Sequence, residues 1–157
     1  MGAESRLIEL GIVLPNPLGS AGNYVAAVRT GNLVFLSGMG PIGLDGLLIT
    51  GRVGGALLLS EAKEAARLVA LGLLANLRAE IGSLDHVSRI VKVLGMVNCA
   101  PGFVELPAVI DGCSDFLVDL FGEQIGRHAR SAVGMAELPF DIPVEIEMIV
   151  ELATGVS

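Results

Sequence analysis

Apolar residues recur along this chain at two separable periods. Across residues 60–81 the spacing is helical, and Ala62, Ala65, Ala66, Val69, Leu73, Leu77 and Ile81 line one face. Ser60 can cap that helix, Glu61 suits its positive end and Gly82 can end it. A second helix is predicted over 107–121, with Pro107 in its first turn and Gly122 just past its end. Elsewhere the period falls to two. Strands are predicted at 24–28 and 33–37 around the turn tripeptide Thr30-Gly31-Asn32, then at 87–98, 130–136 and 144–152. A shorter strand is predicted at 47–50, after Asp45-Gly46. In the last strand Glu145, Glu147 and Glu151 share one face, while Val144, Ile146, Met148 and Val150 share the other. Residues 1–22 read as a lead-in. A short helix within 7–12 would end at Gly11, and Leu14-Pro15-Asn16-Pro17 forbids its continuation.

The order is β-β-(β)-α-β-α-β-β, with no linker or repeat, which predicts one α+β domain over residues 1–157 with its helices on one face of a sheet. The other face needs a cover, and a second copy of the chain is the natural one. Composition strengthens that expectation. Hydrophobic residues make up 52% of the 157 and charged residues 17%, more apolar surface than one small domain readily hides. No run reaches the roughly 20 apolar residues of a membrane span. The best candidate, 68–77, is short and lies between Arg67 and Arg78. Oligomer interfaces are the expected sink.

Charge and residue usage narrow the chemistry. The formal net charge is −7, with no Lys/Arg cluster to meet a phosphate backbone. One Tyr, five Phe and no Trp leave few platforms for stacking bases. Nucleic-acid binding is therefore not expected. Cys99, Cys113, His86 and His128 show no metal-ligand spacing, so neither a metal nor a cofactor is expected. Gly38-Met39-Gly40-Pro41-Ile42-Gly43 has the glycine spacing of a dinucleotide fingerprint, but Pro41 and the turn at Leu44-Asp45-Gly46 deny it the helix it must open. No serine sits in a nucleophile-elbow context. Met1-Gly2-Ala3-Glu4-Ser5-Arg6 lacks the basic start and apolar run of an export signal, and Arg6 stands where a myristoylation motif wants Ser or Thr. The expected location is the cytoplasm, with both cysteines reduced.

Few groups remain that can do chemistry. Asp111, Asp115 and Asp119 stack on one helix face. That stripe reads as solvated, with Asp111, nearest the helix start, the one able to point into a cleft. Arg130 opens a strand in which Ala132 and Gly134 leave room beside it, a setting suited to bidentate capture of a planar carboxylate. The two closing strands are expected to be neighbours, which would bring Arg130 and Glu145 together.

Ala129-Arg130-Ser131-Ala132-Val133, Leu138-Pro139 and Val144-Glu145-Ile146-Glu147 resemble the C-terminal signature of the Rid (reactive intermediate deaminase, YjgF, endoribonuclease L-PSP-like) family. Asn23-Tyr24-Val25 and Thr30-Gly31-Asn32-Leu33-Val34-Phe35-Leu36-Ser37-Gly38 are similar to its N-terminal half. The resemblance implies a chorismate mutase-like fold, with a mixed sheet and two helices on one face. It also implies a homotrimer with a ligand cleft between each pair of subunits. It implies that Arg130 binds the substrate carboxylate, that Glu145 positions a water, and that Tyr24 and the Gly38 backbone line the cleft. Asp111 falls near a family asparagine, Ala132 where many members have cysteine, and Met39 where a glutamine often follows Ser-Gly, as in a divergent branch. The activity implied is hydrolysis of 2-imino acids, or their enamine tautomers, to 2-keto acids and ammonia. The altered neighbours Met39, Ala132 and Asp111 suggest a non-catalytic sensor of small carboxylates as the alternative. The family label of endoribonuclease or translation inhibitor runs against the acidic charge.

Overall fold

The computed structural model describes residues 2–20 and 22–155. Met1, at the head of the segment read for export signals, and the last two residues of the expected domain lie outside them. The elements in chain order are α1 (Ala3–Glu9), β1 (Ala27–Thr30), β2 (Leu33–Met39), α2 (Leu59–Ile81), β3 (Val87–Asn98), α3 (Leu106–Gly126), β4 (Ala129–Met135) and β5 (Val144–Leu152). The five strands form one mixed sheet in the order β1-β2-β5-β3-β4. All neighbours are antiparallel except β3 and β4, which run parallel.

Both long helices lie on one face of that sheet, and alternation decides which face. Val144, Ile146, Met148, Val150 and Leu152 of β5 are buried, as are Val93 and Val97 of β3. They meet the helices through Leu73, Leu74 and Leu77 of α2 and Ile110 and Leu117 of α3, all fully buried in the same cluster. Among the described residues no helix covers the opposite face. Phe35 remains 42% exposed there and Val133 41%, so the uncovered face expected from the sequence is present, with apolar side chains on it.

Several boundaries differ from expectation for local reasons. The first helix runs from Ala3 to Glu9, not over 7–12, because Glu4 anchors it: its amide donates to Asp85 Oδ1 at 3.0 Å and its carboxylate accepts from the Leu84 amide at 3.0 Å. Ser60 does not cap α2. The helix begins at Leu59, and the Glu61 carboxylate accepts from the Leu58 amide at 2.8 Å. Strand β1 starts at Ala27, which leaves Tyr24 in the approach to it. The segment 47–50 forms no strand, only an isolated bridge between Ile42 and Leu48. Gly122 (φ 77°, ψ 166°) breaks α3, but one more turn carries it to Gly126.

The largest correction concerns the closing strands. They are not neighbours: β3 lies between β4 and β5. The reason is α3, which crosses over from the end of β3 and returns the chain parallel to it. The connection from β4 to β5 then passes across the end of β3, where the Asn98 amide donates to Pro143 O at 2.9 Å. In that turn Phe140 and Asp141 both adopt left-handed backbone (φ 57°). Asp141 is held by Asn98 Nδ2 on its carboxylate at 3.0 Å and the Gly51 amide on its carbonyl at 2.7 Å. No helix among the described residues is long and apolar enough to cross a membrane.

Helices α2 and α3 pack tightly at Gly112, where an added Cβ would overlap the Lys63 carbonyl of α2. Backbone cannot swing aside as a side chain can. Gly112→Ala is expected to lower unfolding stability by about 1–3 kcal/mol or more, the usual range for overpacking. A denaturant melt of the variant with an unchanged midpoint would show that this contact is looser than described.

Candidate functional site

Register places the six candidate residues in two groups. Arg130 lies opposite Val93 and Ala132 opposite Gly95, both on the helix face. The guanidinium therefore reaches α3, where Nη1 donates to Asp111 Oδ1 at 2.7 Å and to Ser114 Oγ at 3.1 Å. Asp111 stands one turn into α3, the only member of the acidic stripe turned to Arg130 among the described contacts. Asp115 instead pairs with Lys63 at 3.0 Å. Ala132 adds only a methyl beside the guanidinium, and Gly134 beyond it is close to Cys99 and Leu106.

The sequence does not single out Ser114, and it presents His128 only as a histidine without metal-ligand spacing. His128 Nδ1 donates to the Gly126 carbonyl at 2.6 Å, which leaves Nε2 to accept from Ser114 Oγ at 3.0 Å. Ser114 Oγ can then accept from Arg130, so a continuous chain runs from Gly126 O through His128 and Ser114 to Arg130. Burial is the main cause holding the His128 pKa below its usual value; the Gly126 bond acts the other way, and Arg130 adds to the lowering. The one available clue was that Ser114 lies three residues after Asp111, on the same helix face. Ser114, Arg127, His128 and Arg130 line an open hollow of about 210 Å³.

The second group gathers around Glu145. This residue lies opposite Met96, on the face that no helix covers. Its carboxylate lies against Gly38, where a Cβ would collide with Oε1. Gly38 lies within the irregularity in β2 between Leu36 and Met39. Tyr24, Ser37, Gly38 and Met39 line one small recess together with Asn76 of α2; Glu145 does not line it. Burial raises the Glu145 pKa, and repulsion from Glu147 on the same strand face raises it further. Met39 does not line the Glu145 side: its sulfur packs on Gly72 of α2. Within one chain Arg130 and Glu145 thus sit on opposite faces with β3 between them, contrary to the expectation that adjacent strands would join them.

The cysteines offer no nucleophile beside these groups. Both are free, and burial pushes the Cys113 thiol up to about 12. No group of three or more His, Cys, Asp or Glu among the described residues is arranged to hold a metal ion.

Comparison with known proteins decides the ancestry of this arrangement. Residues 4–152 match the family model described as "YjgF/chorismate mutase-like, putative endoribonuclease". The chain belongs to the YjgF/chorismate mutase-like family. It is 43% identical to protein TCP17 of Trypanosoma cruzi over 94% of this chain and 92% of that one. It is 34% identical to a Dermatophagoides farinae protein named 2-iminobutanoate/2-iminopropanoate deaminase, over 87% of this chain and 88% of the other. The crystal structure of Atu1372 from Agrobacterium tumefaciens, a protein of unknown function, superposes with a TM-score of 0.86 at 42% identity, covering 96% of this chain and 94% of that one. Family membership accounts for the mixed sheet, the crossover and the helices on one face.

His128 makes the Arg130 surroundings sensitive to acid. A histidine with a depressed folded-state pKa binds fewer protons folded than unfolded, so its contribution to stability is present above the unfolded value near 6.5 and is lost as pH falls toward the folded one. His128→Gln is expected to flatten the dependence of unfolding stability on pH below about 6.5. Equal slopes for variant and wild type in denaturant titrations at several pH values would overturn that assignment.

Proposed function

We propose that this chain hydrolyses 2-imino acids, or their enamine tautomers, to 2-keto acids and ammonia. The site would be a cleft between two copies, in a homotrimer. The observation that carries the proposal is the division of the candidate residues. Arg130 and Ala132 lie on the edge strand β4 with Asp111 of α3 beside the guanidinium, while Glu145 lies against Gly38 on the uncovered face and Tyr24 lines a recess next to Gly38. A cleft that used all six would need β4 of one copy against the Glu145 side of another.

In such a cleft Arg130 holds the substrate carboxylate and fixes the C=N carbon, which supplies proximity. Glu145 accepts a proton from the attacking water. The new C–O bond gives a carbinolamine, the proton passes to nitrogen, and the C–N bond breaks to release ammonia. The nitrogen leaves with the water's hydrogens and the carbonyl keeps its oxygen. Imines hydrolyse in water unaided, so a pocket with two or three polar groups suffices. The relative named as a deaminase supports the same reading.

The alternative of a non-catalytic carboxylate sensor drew on Met39, Ala132 and Asp111. Met39 no longer favours it, since that side chain packs against Gly72. Asp111 is the one altered neighbour that touches Arg130.

The decisive experiment generates 2-aminoacrylate enzymatically and follows its loss. Arg130→Ala and Glu145→Gln are each expected to remove the acceleration. Refolding the two variants together should restore about a quarter of wild-type activity, because each heterologous site then finds both intact contributors one time in four. Full activity in Arg130→Ala sinks the proposal, and no recovery in the mixture sinks the shared cleft. The raised Glu145 pKa adds a pH signature. Its basic form is lost as pH falls through a value above the ordinary carboxylate range, so the acidic limb of the rate profile lies high. Glu147→Gln removes a like charge and should move that limb to lower pH; an unmoved limb would assign it to another group.

A further inference from the structure

Arg130 does not face solvent as a lone cation. Asp111 sits 2.7 Å from it, with the Arg130 side chain 24% exposed and that of Asp111 41%. The groups around the pair add little charge of their own. Ser114 is neutral, burial favours the neutral form of His128, and Arg127, which lines the same hollow, is paired with Glu123 at 3.1 Å. Asp115 is engaged by Lys63. This part of the site is therefore close to neutral, with one positive and one negative group side by side.

That arrangement discriminates between ligands. A ligand with only a carboxylate gains Arg130 but meets the Asp111 charge. The repulsion strengthens as a covering copy excludes water. A ligand with a protonated nitrogen on the carbon next to its carboxylate meets a partner for each charge. The two groups are separated by one carbon, and the two side chains are in direct contact. Ala132, next on the same strand face, carries only a methyl.

We propose that Asp111 binds the ligand's nitrogen while Arg130 binds its carboxylate, so that the site takes zwitterions, namely α-amino acids and the iminium form of 2-imino acids, in preference to 2-keto acids. This rests on the carboxylate site proposed above. It gives Asp111 a part in the reaction as well. The iminium carbon is the electrophile that water attacks. A carboxylate beside the nitrogen keeps the proton on it, and C–N cleavage then releases ammonium. The 2-keto acid left behind has no nitrogen for Asp111, so the same charge that draws in the substrate weakens the hold on the product.

Calorimetry at pH 7 with L-2-aminobutanoate and 2-oxobutanoate tests this on the full-length protein. Wild type is expected to bind the amino acid at least tenfold more tightly than the keto acid. Asp111→Asn keeps size and a polar contact, and should erase or reverse that ratio by tightening the keto acid and weakening the amino acid. Equal or tighter binding of 2-oxobutanoate by wild type overturns the proposal. So does an unchanged ratio in Asp111→Asn, which would make Asp111 a strut that only orients Arg130. If the variant fails to fold, the wild-type ratio alone decides. Binding of neither ligand, with no turnover of 2-aminoacrylate, removes the carboxylate site itself; binding of both with the wrong preference removes only the role of Asp111.

Discussion

The parallel pairing of β3 with β4 is the constraint on which the rest of this structure depends. A parallel neighbour demands a crossover, and α3 supplies it. Because α3 must return over the sheet, its Asp111 and Ser114 lie above the strand that carries Arg130. Because β4 takes the outer side of β3, β5 fills the place between β3 and β2, which puts Glu145 against Gly38. One topological requirement thus fixes the surroundings of both candidate residues, Arg130 and Glu145. It also separates them within the chain. Close packing maintains the crossover: Ile110 would collide with a Cβ at Gly95, so α3 sits directly on β3.

Much of this was legible in the sequence. Alternation in 144–152 identified the buried and exposed faces of β5 correctly, because a strand between two neighbours and beneath helices has no freedom to rotate. The period across 60–81 located α2 for the same reason, since its apolar face packs on the sheet. Caps were less legible. Ser60 looked like a cap by residue type, yet the Glu61 carboxylate reaches the Leu58 amide, and only geometry decides between such adjacent candidates. Gly122 was correctly seen as a break, but a break in φ does not forbid a further turn.

Strand order was not legible. Two strands joined by a short Pro-containing segment read as neighbours, and nothing local in residues 136–143 says that they straddle a third. The rule that would have helped is the crossover: a helix between two strands returns the chain parallel, often beside the strand it left. The pairing of Ser114 with His128 was not legible for another reason. Fourteen residues separate them, and neither sits in a motif. Their contact exists because α3 folds back on β4 and Gly126 O orients the imidazole. The fold class was readable; the division of the six candidate residues into two groups was a property of topology.

That division links chemistry to association on the reading proposed here. The edge strand β4 and the uncovered sheet face are each incomplete, one in backbone hydrogen bonds and the other in apolar contacts. A second copy that covers the face at Glu145 and approaches β4 would satisfy both needs and complete the cleft. Apolar burial would then provide the association free energy, and the polar groups would have only to orient the ligand. A site with so few functional residues is workable under that division because its chemistry is undemanding and its positioning comes from the interface. Activity would follow subunit concentration by mass action, since a lone chain holds Arg130 and Glu145 on opposite faces of its sheet.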